Sequence, residues 1–382
     1  MNHHFWKNKR VFVTGHTGFK GSWLCLLLNS LGAKVFGYSL KTHTSPNLFE
    51  LLNIEKQIEI SNVGDVRDLA ALKKAMMMTN PDIILHLAAQ SLVRYSYEHP
   101  VETYETNVLG TVHILEAMRS SSTAKVFINV TSDKCYENKE WNRGYHEKDN
   151  MGGYDPYSSS KGCAELITAA YRSSYFNPKN FKQHGKAIAT ARAGNVIGGG
   201  DWASDRLIPD IMNALIRKEH PEIRFPFAIR PWQHVLEPLY GYLTLAEKMW
   251  ESPELFSESW NFGPKDEDCQ SVNWVVNKIY EIWEYTLGWQ QTEKNEPHEA
   301  NFLKLNIKKA NKLLKWHPCW NLSEALQATV EWYQCWVKKQ DILQLTLDQI
   351  AKYKDDVKIK TNYFNSNETW IQPQLAKSFV EI

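Results

Sequence analysis

Val11-Phe-Val-Thr-Gly-His-Thr-Gly-Phe-Lys-Gly-Ser-Trp-Leu-Cys-Leu-Leu27 decides how the rest of the chain is read. β-forming residues run into a turn carrying Gly15, Gly18 and Gly21, and an apolar helical run follows at once. A helix start of this kind offers unsatisfied amides and the positive end of its dipole to an anion. Gly15 permits the tight turn, Gly18 lets the backbone approach a pyrophosphate, and Gly21 lets helix pack closely on strand. The spacing is GxxGxxG rather than the commoner GxGxxG, and a glycine triplet alone also suits a plain connection. Between a hydrophobic strand and a helix, the stretch points to a bound dinucleotide.

Outward from this turn the pattern alternates. Strands are expected at Val11–Thr14, Lys34–Ser39, Glu59–Val63, Asp82–Leu87 and Lys125–Val130, with helices at Ser22–Ser30, Leu69–Met77 and from Pro100 to about Met118. Such alternation predicts an α/β fold: a Rossmann-type doubly wound parallel sheet, its ligands beyond the C-terminal strand ends. Residues 1–195 form the dinucleotide-binding domain, and 196–340 mainly a smaller α/β substrate-binding lobe, from which segments can return to the first. Residues 341–382 form a C-terminal extension, read as a surface helix or mobile tail.

The chain has 382 residues, with 44 Lys plus Arg against 43 Asp plus Glu, which leaves no basic groove for nucleic acid and no polybasic face for a membrane. Its six cysteines are scattered, without a CxxC pair or His/Cys cluster, so neither a disulfide framework nor a metal site is expected and a reducing compartment, the cytoplasm, is. No apolar run approaches the ~20 residues of a membrane span.

The residues just after each strand carry the chemistry. Asp65 follows the third strand, where a carboxylate accepts from an adenine amine or caps the turn. Ala88-Ala89 follow the fourth, and small side chains there let a flat cofactor lie on the backbone. Asn107 lies inside the Pro100 helix, where it either binds neighbouring backbone or serves the site. The second strand ends Ser39-Leu40-Lys41, without the acid that holds the ribose of NAD, so this loop leaves NAD and NADP both open.

Tyr157-Ser-Ser-Ser-Lys161 opens a helix after Asp155-Pro156. The i, i+4 spacing brings the ammonium to the phenol, where a cation is expected to lower its pKa from ~10 and make Tyr157 a general base. Ser132 stands at the end of the fifth strand.

Thr14–Gly21, the Asp65 turn, His86–Ala89, Thr106-Asn107, Thr131–Tyr136 and Tyr157…Lys161 together resemble the extended short-chain dehydrogenase/reductase family, over most of residues 9–335. The resemblance implies a Ser132–Tyr157–Lys161 triad, in which Ser132 binds the reacting sugar oxygen and Lys161 also holds the nicotinamide ribose. It implies cofactor contacts from Gly15, Thr17, Gly18, Phe19, Gly21, Asp65, Val66, Leu87, Ala88, Ala89, Asn107, Thr131, Tyr157 and Lys161. After Ser132 comes Asp133-Lys134, where the family's sugar-nucleotide 4,6-dehydratases usually carry Asp-Glu. With Ala191–Trp202 and Ile229–Glu237, this pair resembles the dehydratases of CDP-sugars, lyases of deoxysugar synthesis for surface polysaccharide. Asp133 and Lys134 would supply the acid and the base that remove water, with the division of roles open.

Beyond a sixth strand at Ala187–Ala191 the alternation becomes irregular. By resemblance Asn195 contacts the substrate diphosphate. Arg206 and Arg230 suit a diphosphate by their bidentate geometry. His234 completes a basic and aromatic group with Arg230 and Trp232, and Lys304 is within reach of the nucleotide. The resemblance also implies a homodimer, or a tetramer, built on the Pro100–Met118 and Tyr157–Arg172 helices.

Overall fold

The computed structural model of the protein describes residues 1–292 and 302–368. Strands β1 (Arg10–Thr14), β2 (Lys34–Ser39), β3 (Ile60–Val63), β4 (Ile83–His86), β5 (Val126–Val130), β6 (Ala187–Ala193) and, from far along the chain, Ser259–Phe262 form one seven-stranded sheet. Every pairing in it is parallel. Its order runs from Ser259–Phe262 through β6, β5, β4, β1 and β2 to β3. The order reverses between β1 and β4, the switch point at which a crevice opens beyond the strand ends.

Successive side chains point to opposite faces of the sheet. Val11, Val13, Ile83, Leu85, Val126, Ile128 and Val130 enter one core, and Phe12, Ile84 and Phe127 the other. Helix α1 (Phe19–Ser30) lies in the first core with Ser22 to Leu28 all buried, which is why its sequence is apolar almost all round. It begins at Phe19, earlier than expected, because Gly21 is small enough to sit in the first turn against Gly15. Residues 100–120 form one helical run, α2, interrupted by a π turn over Glu105–Leu109. Helix α3 (Pro156–Ser174) has Asp155 as its N-cap, accepting from the Ser158 amide at 2.9 Å, with Pro156 in the first turn.

A three-stranded sheet stands over the strand ends: β7 (Asn195–Ile197), β8 (Ile229–His234) and Cys269–Ser271, with helix α4 (Leu207–Arg217) beside it. The second half of the chain also serves the first. Helix α5 (Leu236–Glu251) packs on β5 and β6, and Ser259–Phe262, now β9, pairs with β6. No helix among the described residues is long and apolar enough to cross a membrane.

Through Val357 the extension is neither a surface helix nor a tail. Helix α7 (Ile342–Glu368) lies along α6 (Leu322–Val337) and closes the first core. Thr346, Ile350, Tyr353 and Val357 are buried at alternating spacings of four and three, one stripe of a helix whose first turns add Ile342, Leu343, Leu345 and Leu347 against the core and whose later positions carry most of its charge. Tyr353 donates at 2.7 Å to the fully buried carboxylate of Glu237, which also accepts from the amides of Cys319 and Trp320. Tyr353→Ala therefore leaves a cavity and removes a donor, and should cost about 3–5 kcal/mol. The urea midpoint measures it, and an unchanged midpoint would remove α7 from the core. Residues 369–382 lie outside the described part.

Candidate active site

A cleft of about 760 Å³ runs along the C-terminal edge of the main sheet. That is in the upper part of the ~300–1,000 Å³ span of ligand pockets. Its walls begin at the glycine turn, pass the Ser132–Lys134 turn, Tyr157 and Lys161, and end on Asn195, Arg206 and Arg230.

The glycine end is built for close approach. Gly15 has φ +75°, and a Cβ there would stand 2.8 Å from the Ala88 nitrogen. At Gly21 a Cβ would lie 2.1 Å from the Gly15 oxygen, whereas at Gly18 its nearest neighbour is 3.4 Å away. Gly18 is the N-cap of α1 and no side chain caps the helix, so its first amides remain for an anion. Thr17 bonds the Ser39 hydroxyl at 2.9 Å and the Leu40 carbonyl at 3.0 Å, tying the glycine turn to the loop after β2. Phe19, Val66, Leu87, Ala88, Ala89 and Thr131 also line this region. An uncapped helix start, glycines that no side chain could replace, and a flat alanine floor together fit a dinucleotide.

Asp65 lines the cleft, but its carboxylate is held by Arg67, with Arg67 Nη2 at 2.7 Å and the Arg67 amide at 2.8 Å. Partial burial works against the charge, yet these hydrogen bonds keep its carboxyl below the ordinary range. Asn107 does not line the cleft. It holds the backbone of Gln90 on both sides, accepting from the amide at 2.8 Å and donating to the carbonyl at 2.9 Å, and donates to Ser160 on α3 at 2.8 Å. The cofactor contact expected of Asn107 is thus corrected to a brace between the loop after β4 and the helix that carries Tyr157.

Asp133 is the buried centre of the middle section. The Ser132 hydroxyl donates to its Oδ1 at 3.1 Å, and Oδ2 has no hydrogen-bond partner. Burial raises its pKa, while Lys134, Ser132, Arg230 and Lys20 act in the other direction. A carboxyl of this kind is one that can carry a proton. Lys134, next to it, is half-buried in the cleft wall.

Tyr157 corrects a second expectation. Its pKa is not lowered but pushed up to about 12, because burial of the phenol outweighs the hydrogen bond from Ser132 and the charge of Arg206. Lys161 turns its ammonium toward the Val130 carbonyl, 3.5 Å away, and burial brings its own pKa down to about 8.

Arg206 is fixed by Asp201 at 2.9 Å and Ser91 at 2.7 Å, and Arg230 is buried beside Asp133. Asn195 lines the same wall from β7. Two expected substrate contacts lie elsewhere. His234 is fully buried between Trp23 and Trp320, ring centroids 5.7 and 4.9 Å away, and burial drops its pKa to about 3, so it is a neutral core residue. Lys304 is not among the cleft-lining residues; its ammonium lies 5.4 Å over the Phe302 ring.

Sequence reasoning passed over Lys20, inside the glycine turn, and Asp210 and Arg224, at the far end. All three line the cleft. Lys20, like Lys161, has its pKa brought down to about 8, through burial and then the cations Arg206 and Lys161. Its signal was a charged residue between Gly18 and Gly21, where the first helical turn faces the ligand.

A family profile described as GDP-mannose 4,6 dehydratase matches residues 12–183. The CDP-glucose 4,6-dehydratase of Salmonella typhimurium is 51% identical over 353 residues, covering 92% of this chain and 98% of that one. The chain belongs to the CDP-glucose 4,6-dehydratase family. This places it in the extended short-chain dehydrogenases/reductases. More distant members of the same fold include a dTDP-glucose 4,6-dehydratase of Bacillus anthracis solved with NAD (TM-score 0.72, 22% identity, 88% of this chain and 99% of that one). A UDP-glucose 4-epimerase of Thermotoga maritima is another (TM-score 0.73, 20% identity, 85% and 98%). At this distance they speak for the doubly wound sheet and its lobe.

Proposed function

We propose that the protein is a CDP-glucose 4,6-dehydratase, converting CDP-D-glucose to CDP-4-keto-6-deoxy-D-glucose and water. Membership of that family supports the reaction. The observation that carries it is Asp133 beside Lys134: a buried, half-satisfied carboxyl next to an amine, facing Tyr157 in one cleft. The glycine turn and the Ala88-Ala89 floor would hold NAD, which would supply a hydride acceptor for C4 of the hexose and a hydride donor for C6.

The chain's own groups move the protons. Tyr157 takes the proton of the C4 hydroxyl, and Ser132 and Arg206 favour the charge that develops on the phenol. The C4 ketone acidifies the C5 hydrogen, which Lys134 removes and, once C6 has been reduced, gives back to C5. Asp133, whose burial favours the protonated form, gives its proton to the departing C6 hydroxyl. Arg206, Arg230 and Asn195 hold the diphosphate. Arg206 is pre-set for this by Asp201 and Ser91.

The reading extends to assembly and place. Val101 and Leu109 on α2 and Leu166 on α3 are exposed apolar residues on helices that offer a homodimer face. Six scattered, free cysteines suit a reducing cytoplasm.

CDP-glucose deuterated at C4 tests the reaction. The label should be recovered at C6 of the product. Label retained at C4, or lost to solvent, overturns the internal transfer, and substrate returned with inverted C4 and no loss of water makes the enzyme an epimerase.

A further inference from the structure

Beyond Arg206 and Arg230 the cleft continues into a recess that neither hexose nor diphosphate needs. Asp210, in the first turn of α4, Arg224, ahead of β8, and the exposed Asp205 and Glu222 supply its polar groups; Phe225, Ala228 and Val272 supply apolar wall. The Asp210 carboxylate accepts from the Asp205 amide and lies in the field of Arg224. Arg224 is anchored from behind by Asp205, its Nη2 donating to the carbonyl at 3.1 Å and its Nη1 lying 3.5 Å from Oδ1. A guanidinium has further donors in a fixed plane. The recess is therefore an apolar slot edged by a half-buried acceptor, Asp210, and one fork of donors, with the other carboxylates, Asp205 and Glu222, out toward solvent.

We propose that this slot selects cytosine, Asp210 accepting from the exocyclic 4-amine and Arg224 donating to N3 and O2. The proposal rests on the CDP-glucose reading. Cytosine presents donor, acceptor, acceptor along that edge, which an acid followed by a guanidinium matches group for group. Uracil and thymine present acceptor, donor, acceptor, so their O4 would face the carboxylate and their N3–H the guanidinium. A site built to bond one pattern leaves buried polar groups unpaired with the other, which is how large discrimination arises. Burial, with Asp205 and Asp201 nearby, brings the Asp210 carboxyl up to about 6 against the pull of Arg224, so it is mostly ionised, and an acceptor, at neutral pH.

The test compares native enzyme, Asp210→Ala and Asp210→Asn on CDP-, UDP- and dTDP-glucose, following the alkaline absorbance of the 4-keto product, with calorimetric binding of CDP and UDP alongside. Native enzyme should favour CDP-glucose over UDP-glucose by about 10²-fold or more in kcat/KM. Asp210→Ala should lose roughly 10–10²-fold on CDP-glucose, through KM and not kcat, and lose nothing on UDP-glucose. Asp210→Asn can turn either its oxygen or its amine to the base, and should narrow the preference to below about tenfold. CDP and UDP affinities should follow the same pattern. If native enzyme turns over CDP-glucose but both variants keep its preference, or lose equally on all three sugars, the slot reading is overturned and the dehydratase stands. If native enzyme is inert toward CDP-glucose and active on another nucleotide sugar, the functional reading falls and the slot with it.

Discussion

Tyr157→Phe should turn over CDP-glucose about 10²–10⁴-fold more slowly than native enzyme, with KM within about threefold. The ring stays where it is, buried at the start of a helix whose first turn is held by Asp155 and by the Ser96 hydroxyl on the Tyr157 amide. Only the phenol oxygen goes, and with it the group that takes the C4 hydroxyl proton. Burial pushes the phenol up to about 12 even with Ser132 and Arg206 working against it, so positive charge in the cleft matters to whether it works at neutral pH. Lys161 has a pKa of about 8. Below that value Lys161 is cationic, and as pH rises through it that positive charge is lost from the cleft. kcat should therefore fall on the alkaline side near pH 8, and Lys161→Met should be slow throughout and lack that limb. A kcat–pH profile of the two proteins measures this; an alkaline limb that survives in Lys161→Met assigns it to another group.

The second large effect separates Asp133 from Lys134. Lys134→Met removes the base, so substrate oxidised at C4 keeps its C5 hydrogen and its 6-hydroxyl. Asp133→Asn keeps the base and the shape of the turn, but the amide has no proton of the required acidity to give. Both should lower dehydration by about 10²–10⁴-fold. They should differ in heavy water. CDP-glucose recovered from Asp133→Asn should have gained one deuterium at C5, and that from Lys134→Met none. The opposite pattern would exchange the two roles, and exchange in neither would take both residues out of the elimination step. The buried, unpartnered Oδ2 of Asp133 favours the first outcome, since an ionised oxygen there would be costly and a protonated one would not.

The main sheet was legible because its signals are local. Short apolar strands, glycine at the turn and polar residues at strand ends each act over a few positions, so β1 to β6 lie close to where the sequence puts them. The glycine turn, Ser132-Asp133-Lys134 and Tyr157…Lys161 were legible for the same reason. Direction in space was not. Arg230, Trp232 and His234 alternate on β8 and share a face, but the strand runs from the cleft into the core, so the first two line the cleft and the third is packed between tryptophans. Asn107 shows the same gap: a polar residue in a helix declares a hydrogen-bonding duty without saying to whom. The pKa of Tyr157 depended on burial, which i, i+4 spacing does not contain. The stripe Thr346, Ile350, Tyr353, Val357 was present in the extension, but so narrow that the surrounding charges masked it.

That last helix bears on how the protein is made. Every group in the cleft is encoded before residue 273, and β9 is in place once residue 262 has emerged. Yet the first core stays open along α6, and the Glu237 carboxylate lacks one of its donors, until α7 has been made and docks. Domains assemble from the N-terminus as the ribosome delivers them, and incompletely covered apolar surface is what quality-control proteases remove. A chain cut just after residue 341 keeps every residue of the cleft, yet should accumulate to much lower soluble levels than the full chain, which a pulse-chase comparison of the two would measure.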